Sequence, residues 1–317
     1  MCTAISFLSK DHYFGRNLDL SYHYQEQVAV APRNFPLSGM ESHPAIIGMA
    51  TVAKGYPLFY EATNEYGLSA AALNFPGNGV YHKTFGDQTA IPSYDFISFV
   101  LSRCKSTKEA RALLQNGVIT DQAFCEGIPP TPLHWLVADR DEAIVAESMA
   151  DGLHIGDNPV GVLTNNPPFD RMMDILTLYM GLSPEDGENC FAPSLPMTPF
   201  SRGLGAFGLP GDFSSPSRFV RSAYVLHHTP QGDERESVSR FFHILDIAMQ
   251  PEGCVMDGGK FQKTLYSCCC NTDKGIYYYT TCHNRQITAV DMHKTDLDSR
   301  ELSLFPPVTQ MEIRWMN

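Results

Sequence analysis

"MCTAISFLSKDHYFGRNLDL", residues 1–20, carries the reading from which the rest of the chain follows. It reads as a hairpin that starts at Cys2, with "FGRNLD" (14–19) on its second strand. A cysteine at position 2 is by itself as idle as any other thiol. An initiator Met, however, is usually trimmed ahead of a small residue, and Cys2 would then carry its thiol and a free α-amine together. An α-amine with an ordinary pKa of about 7.7–8.0 is neutral in a useful fraction near pH 7. It can take the thiol's proton directly or through a water, so that nucleophile and general base come from one residue. Arg16 and Asp19 add to this: a guanidinium beside the sulfur favours thiolate, and a carboxylate beside the amine orients it and holds its protonated form. Their three-residue spacing puts them on opposite faces of a flat strand. Both reach one site only if the strand ends or bulges around Asn17; otherwise they form an exposed ion pair.

The 317 residues, 43% hydrophobic and 18% charged, suit one large domain or two small ones. A net charge of −12 argues against a nucleic-acid partner. An anionic substrate would have to be held by local arginines. No stretch approaches the roughly 20 apolar residues of a membrane helix, and the start lacks the basic and apolar runs of a signal peptide. Nine cysteines, three of them consecutive (Cys268, Cys269, Cys270), form no disulfide framework, and adjacent side chains do not converge on zinc as paired CxxC hairpins do. They are expected to be reduced thiols in a cytoplasmic protein that uses no metal. "GLGAFG" (203–208) matches GxGxxG but follows prolines instead of a strand, so no dinucleotide site is expected; HExxH, P-loop and GxSxG motifs are absent.

Short β-segments dominate. "LHWLVADRDEAIVAES" gives two strands around a turn at Asp139–Glu142, and "ADGLHIGDNPVGVLTNNPP" continues the meander through Asp151 and Gly152. "GIYYYTTCHNRQITAVDM" is a further hairpin turning near Asn284. Helices are expected in "STKEARALLQN", with Ser106 and Glu109 as a capping box, and in "SVSRFFHILDIAM" from its Phe241, Ile244, Leu245, Ala248 stripe. "SSPSRFVRSAYVLHH" is expected to start at Ser215 as N-cap with Pro216 first in the helix, and "FDRMMDILTLYMGL" gives a fourth helix. Meandering strands with helices between groups point to an α+β fold built on antiparallel sheet.

Two strand ends stand out. "GLSAAALNFPG" ends at Asn74 and "VGVLTNNPP" at Asn165, each followed within two residues by a proline that stops the strand. Such ends can aim an amide at a developing oxyanion, and Asn-x-Pro is equally ordinary turn chemistry. Arg218, in the first turn of its helix, sits where the dipole favours anions; it pairs with an internal carboxylate or steers a substrate anion.

Taken in order, "MCT", "FGRNLD", "NEYGLSAAALNFPG", "LHWLVAD", "NPVGVLTNNPPFD", "GLPGDFSSPSRFVR" and "KGIYYYTTCHN" resemble the choloylglycine hydrolases, which comprise bile salt hydrolases and the related penicillin V acylases. The resemblance implies an N-terminal-nucleophile hydrolase fold, an αββα sandwich of two antiparallel sheets between helical layers, in a single domain spanning 2–317. It implies cleavage of a non-peptide amide without cofactor or metal. By position, Cys2 takes the nucleophile's place, Arg16 and Asp19 the arginine and aspartate of "GRNxD", and Arg218 the second active-site arginine. Asn74 falls where the family has an oxyanion-hole backbone donor and Asn165 where it has the side-chain donor. An Asn at position 74 goes with bile salt hydrolases, whereas penicillin V acylases tend to have Tyr there. The implied substrate is a glycine- or taurine-conjugated bile salt, in a pocket walled by Leu18, Phe59, Phe124 and Ile128. The loops "LSGMESHPAIIG" (37–48) and "TDQAFCEGIPPTP" (120–132) are expected near it. The family resemblance also implies a homotetramer, with the Pro-rich stretch 186–200 as an assembly element. Rival readings are an N-acyl amidase of penicillin V type, an acyltransferase that passes the thioester to an amino acid, and a thiol redox protein using Cys268–Cys270.

Overall fold

Strands buried on both faces need a cover on each side, and the chain supplies them as layers. The computed structural model describes residues 1–317. One sheet runs, edge to edge, Val162–Leu163, Cys2–Leu8, His12–Leu20, Lys260–Asn271, Ile276–Thr281 and Thr288–Asp291, with Val255–Asp257 added on Lys260–Asn271. The other runs Gly152–Asp157, Ala143–Met149, Leu133–Ala138, Ser69–Asn74, Tyr56–Asn64, Ile46–Ala53, Gln27–Ala31 and Ser303–Phe305. Every pairing in both is antiparallel. Helices Phe169–Leu176, Ser215–His228 and Glu234–Asp246 pack on the first sheet. Phe96–Arg103 and Thr107–Leu114 pack on the second. This is the four-layer α+β sandwich expected from the sequence, and no helix is long and apolar enough to cross a membrane.

The opening hairpin is in register from Cys2 opposite Leu18 to Leu8 opposite His12. Its glycine is required: a Cβ at Gly15 would lie 2.0 Å from the Cys268 carbonyl oxygen of the neighbouring strand. That strand is buried on both faces, which explains its three consecutive cysteines. Tyr266 reaches Glu61 between the sheets while Ser267 faces Asn17 and the helical layer, so the cysteines that follow alternate between the two interiors. All nine cysteines are free.

The folded chain departs from several of these expectations. After Asp157 the chain does not continue the meander; it crosses to the first sheet, where Leu163 pairs with Ala4. The N-cap of the helix Ser215–His228 is Ser214, because the Ser215 hydroxyl is already engaged by Thr164 and by the Asn165 N–H. The helix expected at "SVSRFF" begins earlier, at Glu234, on a capping box made by Asp233 and Glu236. The fourth helix ends at Leu176 and tightens into a 3₁₀ turn at Thr177–Tyr179. Phe96–Arg103, whose apolar "FISFVL" has little helical periodicity, is a helix that pattern alone does not reveal. The Ser106 cap holds, accepting from the Glu109 N–H, and "GLGAFG" forms only a 3₁₀ turn.

Candidate functional site

The crossing after Asp157 brings the second strand-end asparagine against the start of the chain. The Cys2 backbone N–H donates to Asn165 Oδ1 at 2.8 Å, and the Cys2 carbonyl accepts from Arg218 Nη1 at 2.5 Å. Arg218 also donates to Thr3 Oγ1 at 2.6 Å and, through Nη2, to Asn165 Oδ1 at 2.8 Å. Asn165 Nδ2 in turn donates to the Asn74 carbonyl at 2.7 Å, which ties the end of a second-sheet strand to the edge of the first. One Nδ2 hydrogen remains for another acceptor. Asn165 is itself held by its N–H to Ser215 Oγ at 2.8 Å.

Arg16 and Asp19 do lie on opposite faces, as the strand's alternation requires. Arg16 is fully buried between the sheets, where Nη1 donates to the carbonyls of Tyr60 (3.0 Å) and Ala72 (2.5 Å). Its Nε is 3.8 Å from the Glu61 carboxylate, which also accepts from Tyr266 (2.7 Å) and Tyr277 (2.6 Å). Burial alone would lower the guanidinium's pKa, but the negative charge available at Cys2, Tyr266 and Glu61 holds it above its ordinary value. Burial pushes the Glu61 carboxyl up, against the pull of Arg16 and the two tyrosine hydroxyls. Arg16 Nη2 has no hydrogen-bond partner. A buried donor left so costs about 1–3 kcal/mol unless a ligand meets it.

Asp19 faces the helices. Its Oδ1 accepts from Thr264 Oγ1 at 2.6 Å, and its Oδ2, without a hydrogen bond, lies 4.0 Å from Arg218 Nη1. Burial raises its pKa, with Arg218, the N-terminal ammonium and Thr264 acting in the opposite direction. Burial correspondingly lowers that of Arg218, against Asp19 and Cys2. Neither alternative holds: the strand runs to Leu20 with no bulge at Asn17, Arg16 and Asp19 are both fully buried, and the bulge is on the neighbouring strand. Thr264 pairs with Asp19 but Tyr266 with Leu18, so Leu265 is the extra residue. That shift lets Thr264 reach Asp19 while Tyr266 reaches Glu61. Met1 extends the strand one residue past Cys2: its ammonium donates to the Asp19 carbonyl at 2.7 Å, and the Asp19 N–H returns a bond to the Met1 carbonyl at 3.0 Å.

Cys2, Arg16 and Asn74 open on a cavity of about 570 Å³ whose wall is mostly apolar. Leu18, Phe59 and Ile128 are on that wall. Phe124 is one layer back, its ring edge-on to Tyr94 at 5.3 Å, and it is Tyr94 that lines the cavity. Of the two loops, 120–132 supplies Gly127 to Pro129 and Thr131, whereas 37–48 contributes nothing to the wall. Sequence reading missed Glu61, the one acid in "YPLFYEATN". It missed the rim tyrosines Tyr22 and Tyr24, alternating just past Asp19, and Trp135, whose buried indole N–H has no partner.

Residues 2–305 match the family of linear amide C–N hydrolases described as the choloylglycine hydrolase family. The chain is 44% identical to the bile salt hydrolase/transferase of Lactiplantibacillus plantarum, over 96% of this chain and 97% of that one. It is 36% identical to the bile salt hydrolase/transferase of Clostridium perfringens over the full length of both. The structure superposes on a variant of the conjugated bile acid hydrolase of C. perfringens with a TM-score of 0.92 at 35% identity, covering 100% of each chain. Penicillin V acylase from Agrobacterium tumefaciens shares the fold, with a TM-score of 0.75 at 16% identity over 96% of this chain and 91% of that one.

Proposed function

Because the chain belongs to the choloylglycine hydrolase family of linear amide C–N hydrolases, we propose that it hydrolyses conjugated bile salts with Cys2 as nucleophile after loss of Met1. The observation that carries the substrate class is the largely apolar cavity of about 570 Å³ opening on Cys2. That lies within the roughly 300–1,000 Å³ of pockets that enclose ligands of steroid size.

Loss of Met1 would turn the Cys2 amide nitrogen into an amine. One of its hydrogens keeps the bond to Asn165 Oδ1, and the unpartnered Asp19 Oδ2 is available for another. The Cys2 thiol gives its proton to this amine, and the thiolate, in the field of Arg16, attacks the carbonyl joining the steroid acyl chain to glycine or taurine. Negative charge develops on the carbonyl oxygen, where the Asn74 backbone N–H and the remaining Asn165 amide hydrogen stabilise it. The amine passes its proton to the departing nitrogen as the C–N bond breaks. Water then adds to the thioester and releases the bile acid, or an amino acid takes water's place and the enzyme acts as a transferase.

Amine release from glycocholate, taurocholate and penicillin V, quantified side by side, tests the substrate. Glycine or taurine should be liberated at least tenfold faster than penicillin V is opened. Faster turnover of penicillin V would keep the chemistry and overturn the bile-salt assignment.

The chain acts as a single domain over 2–317, since the strands at its two ends join sheets that share one core. A homotetramer is the proposed assembly. Phe191 and Phe200, in the Pro-rich stretch 186–200, are 90% and 92% exposed and are the side chains an assembly through this stretch would cover. Light scattering should give a tetramer mass that falls in the double variant Phe191→Asp/Phe200→Asp; a monomeric wild type would overturn this. Nine free thiols favour a reducing cytoplasm, a placement that activity in the medium of intact cells would contradict.

A further inference from the structure

We propose that His23, Cys282 and His283 form a binding site for a divalent cation of the zinc class, which fastens the rim of the substrate cavity. Their ligand atoms all lie within 4.8 Å of one another, and Cys282 Sγ is 4.0 Å from His23 Nε2. A tetrahedral zinc, with Zn–S of about 2.3 Å and Zn–N of about 2.0–2.1 Å, sets its ligand atoms roughly 3.3–3.6 Å apart. Closing on the cation therefore takes movements of about an ångström or less per side chain, on groups none of which is buried.

The surroundings are those of a built site. His23 Nδ1 is in contact with the Glu26 carboxylate, which leaves Nε2 facing Cys282. A carboxylate on the far nitrogen is the arrangement that fixes the tautomer and orientation of metal-binding histidines. Cys282 and His283 are the two central residues of a tight turn closed on both sides: the Thr281 N–H donates to the Asn284 carbonyl (2.8 Å), and the Asn284 N–H returns to Thr281 (3.2 Å). Asn284 Nδ2 ties that turn to the Val308 carbonyl at 3.0 Å. Glu26 and Glu252 place negative charge around the sulfur, and the cations that share its pocket are already paired, Lys263 with Glu252 at 3.0 Å and Arg285 with Asp246 at 3.0 Å. One thiolate with two imidazoles is a borderline-soft set that suits zinc and leaves a fourth position for water. As the sulfur–metal bond forms, the Cys282 thiol releases its proton to solvent.

The site has a mechanical consequence because His23 lies between Tyr22 and Tyr24, both on the cavity wall. The two phenols are hydrogen-bonded to each other at 2.6 Å. A cation joining His23 to the 281–284 turn would hold this loop against the first sheet and restrict entry to the cavity. The rim effect rests on the bile-salt reading, whereas the binding itself does not.

Binding is tested in Cys2→Ala protein, which lacks the competing thiol at the cavity. Titration with Co²⁺ should give one equivalent, with a thiolate-to-cobalt charge-transfer band in the near-ultraviolet that Zn²⁺ displaces. The band should vanish when Cys282→Ser is added and persist when the exposed Cys254 is changed to Ser instead. His283→Ala should weaken binding by at least about tenfold. Absence of the band, or its survival in the Cys282→Ser background, would overturn the site. With catalytically competent protein, Zn²⁺ should slow amide hydrolysis reversibly and spare Cys282→Ser. Equal inhibition of both proteins would place the effect at Cys2 and overturn the rim coupling.

Discussion

Cys2→Ala should reduce amide hydrolysis to background, a loss of roughly 10⁴–10⁶-fold, the scale seen when a catalytic nucleophile is deleted. The substitution is well suited to separate chemistry from architecture. Both polar contacts at this residue, to Asn165 and Arg218, are made by its backbone and survive the change. Ala is also small enough for Met1 to be trimmed, so the amine would be present without the sulfur. The variant should melt near the wild-type temperature and bind an uncleaved conjugate, which calorimetry can follow. Turnover within tenfold of wild type would remove Cys2 from the mechanism.

Asn165→Ala should lower kcat by on the order of 10²–10³ with a modest change in KM, the usual effect of removing one oxyanion donor. The structure gives Asn165 two functions at once. Its Oδ1 accepts from Cys2 and Arg218, and its Nδ2 bridges to the Asn74 carbonyl. Ala would leave the Cys2 N–H and one Arg218 N–H short of an acceptor, with a stability cost of about 1–3 kcal/mol per group left unpaired. Asn165→Asp separates the functions, since it keeps the acceptor and loses the donor. A kcat that falls in both variants supports the oxyanion assignment. Near-normal turnover in Asn165→Ala, with a lowered melting temperature, would leave Asn165 a purely structural hub.

The opening hairpin was legible because alternation and register in a strand are local properties: Arg16 and Asp19 had to lie on opposite faces, and they do. What joins them was not local. Arg16 reaches its partners through Tyr60 and Ala72 of the other sheet, and Asp19 meets Thr264 and Arg218, all far away in sequence. The extra residue at Leu265 sits in a strand whose composition contains no mark of a bulge, so the sequence offered only alternatives at Asn17 and neither describes the folded chain. Asn74 and Asn165 each announced a strand end, but their approach depends on the chain changing sheets after Asp157, a choice made by tertiary packing. Phe124 shows the same limit for the cavity. An aromatic on the right loop supports the wall through Tyr94, and sequence cannot tell the facing layer from the one behind it.

The pairing of Met1 with Asp19 has a practical consequence for anyone handling the protein. Any residue left ahead of Cys2, whether a purification tag, a fusion partner or a protease scar, occupies the place of Met1 on the Asp19 backbone and keeps the Cys2 nitrogen an amide. Such a product would fold, since the strand is only lengthened, and would pass every test of purity while lacking its base. Handles for purification or immobilisation belong at the other end, where residues 309–317 are exposed and none lines the cavity.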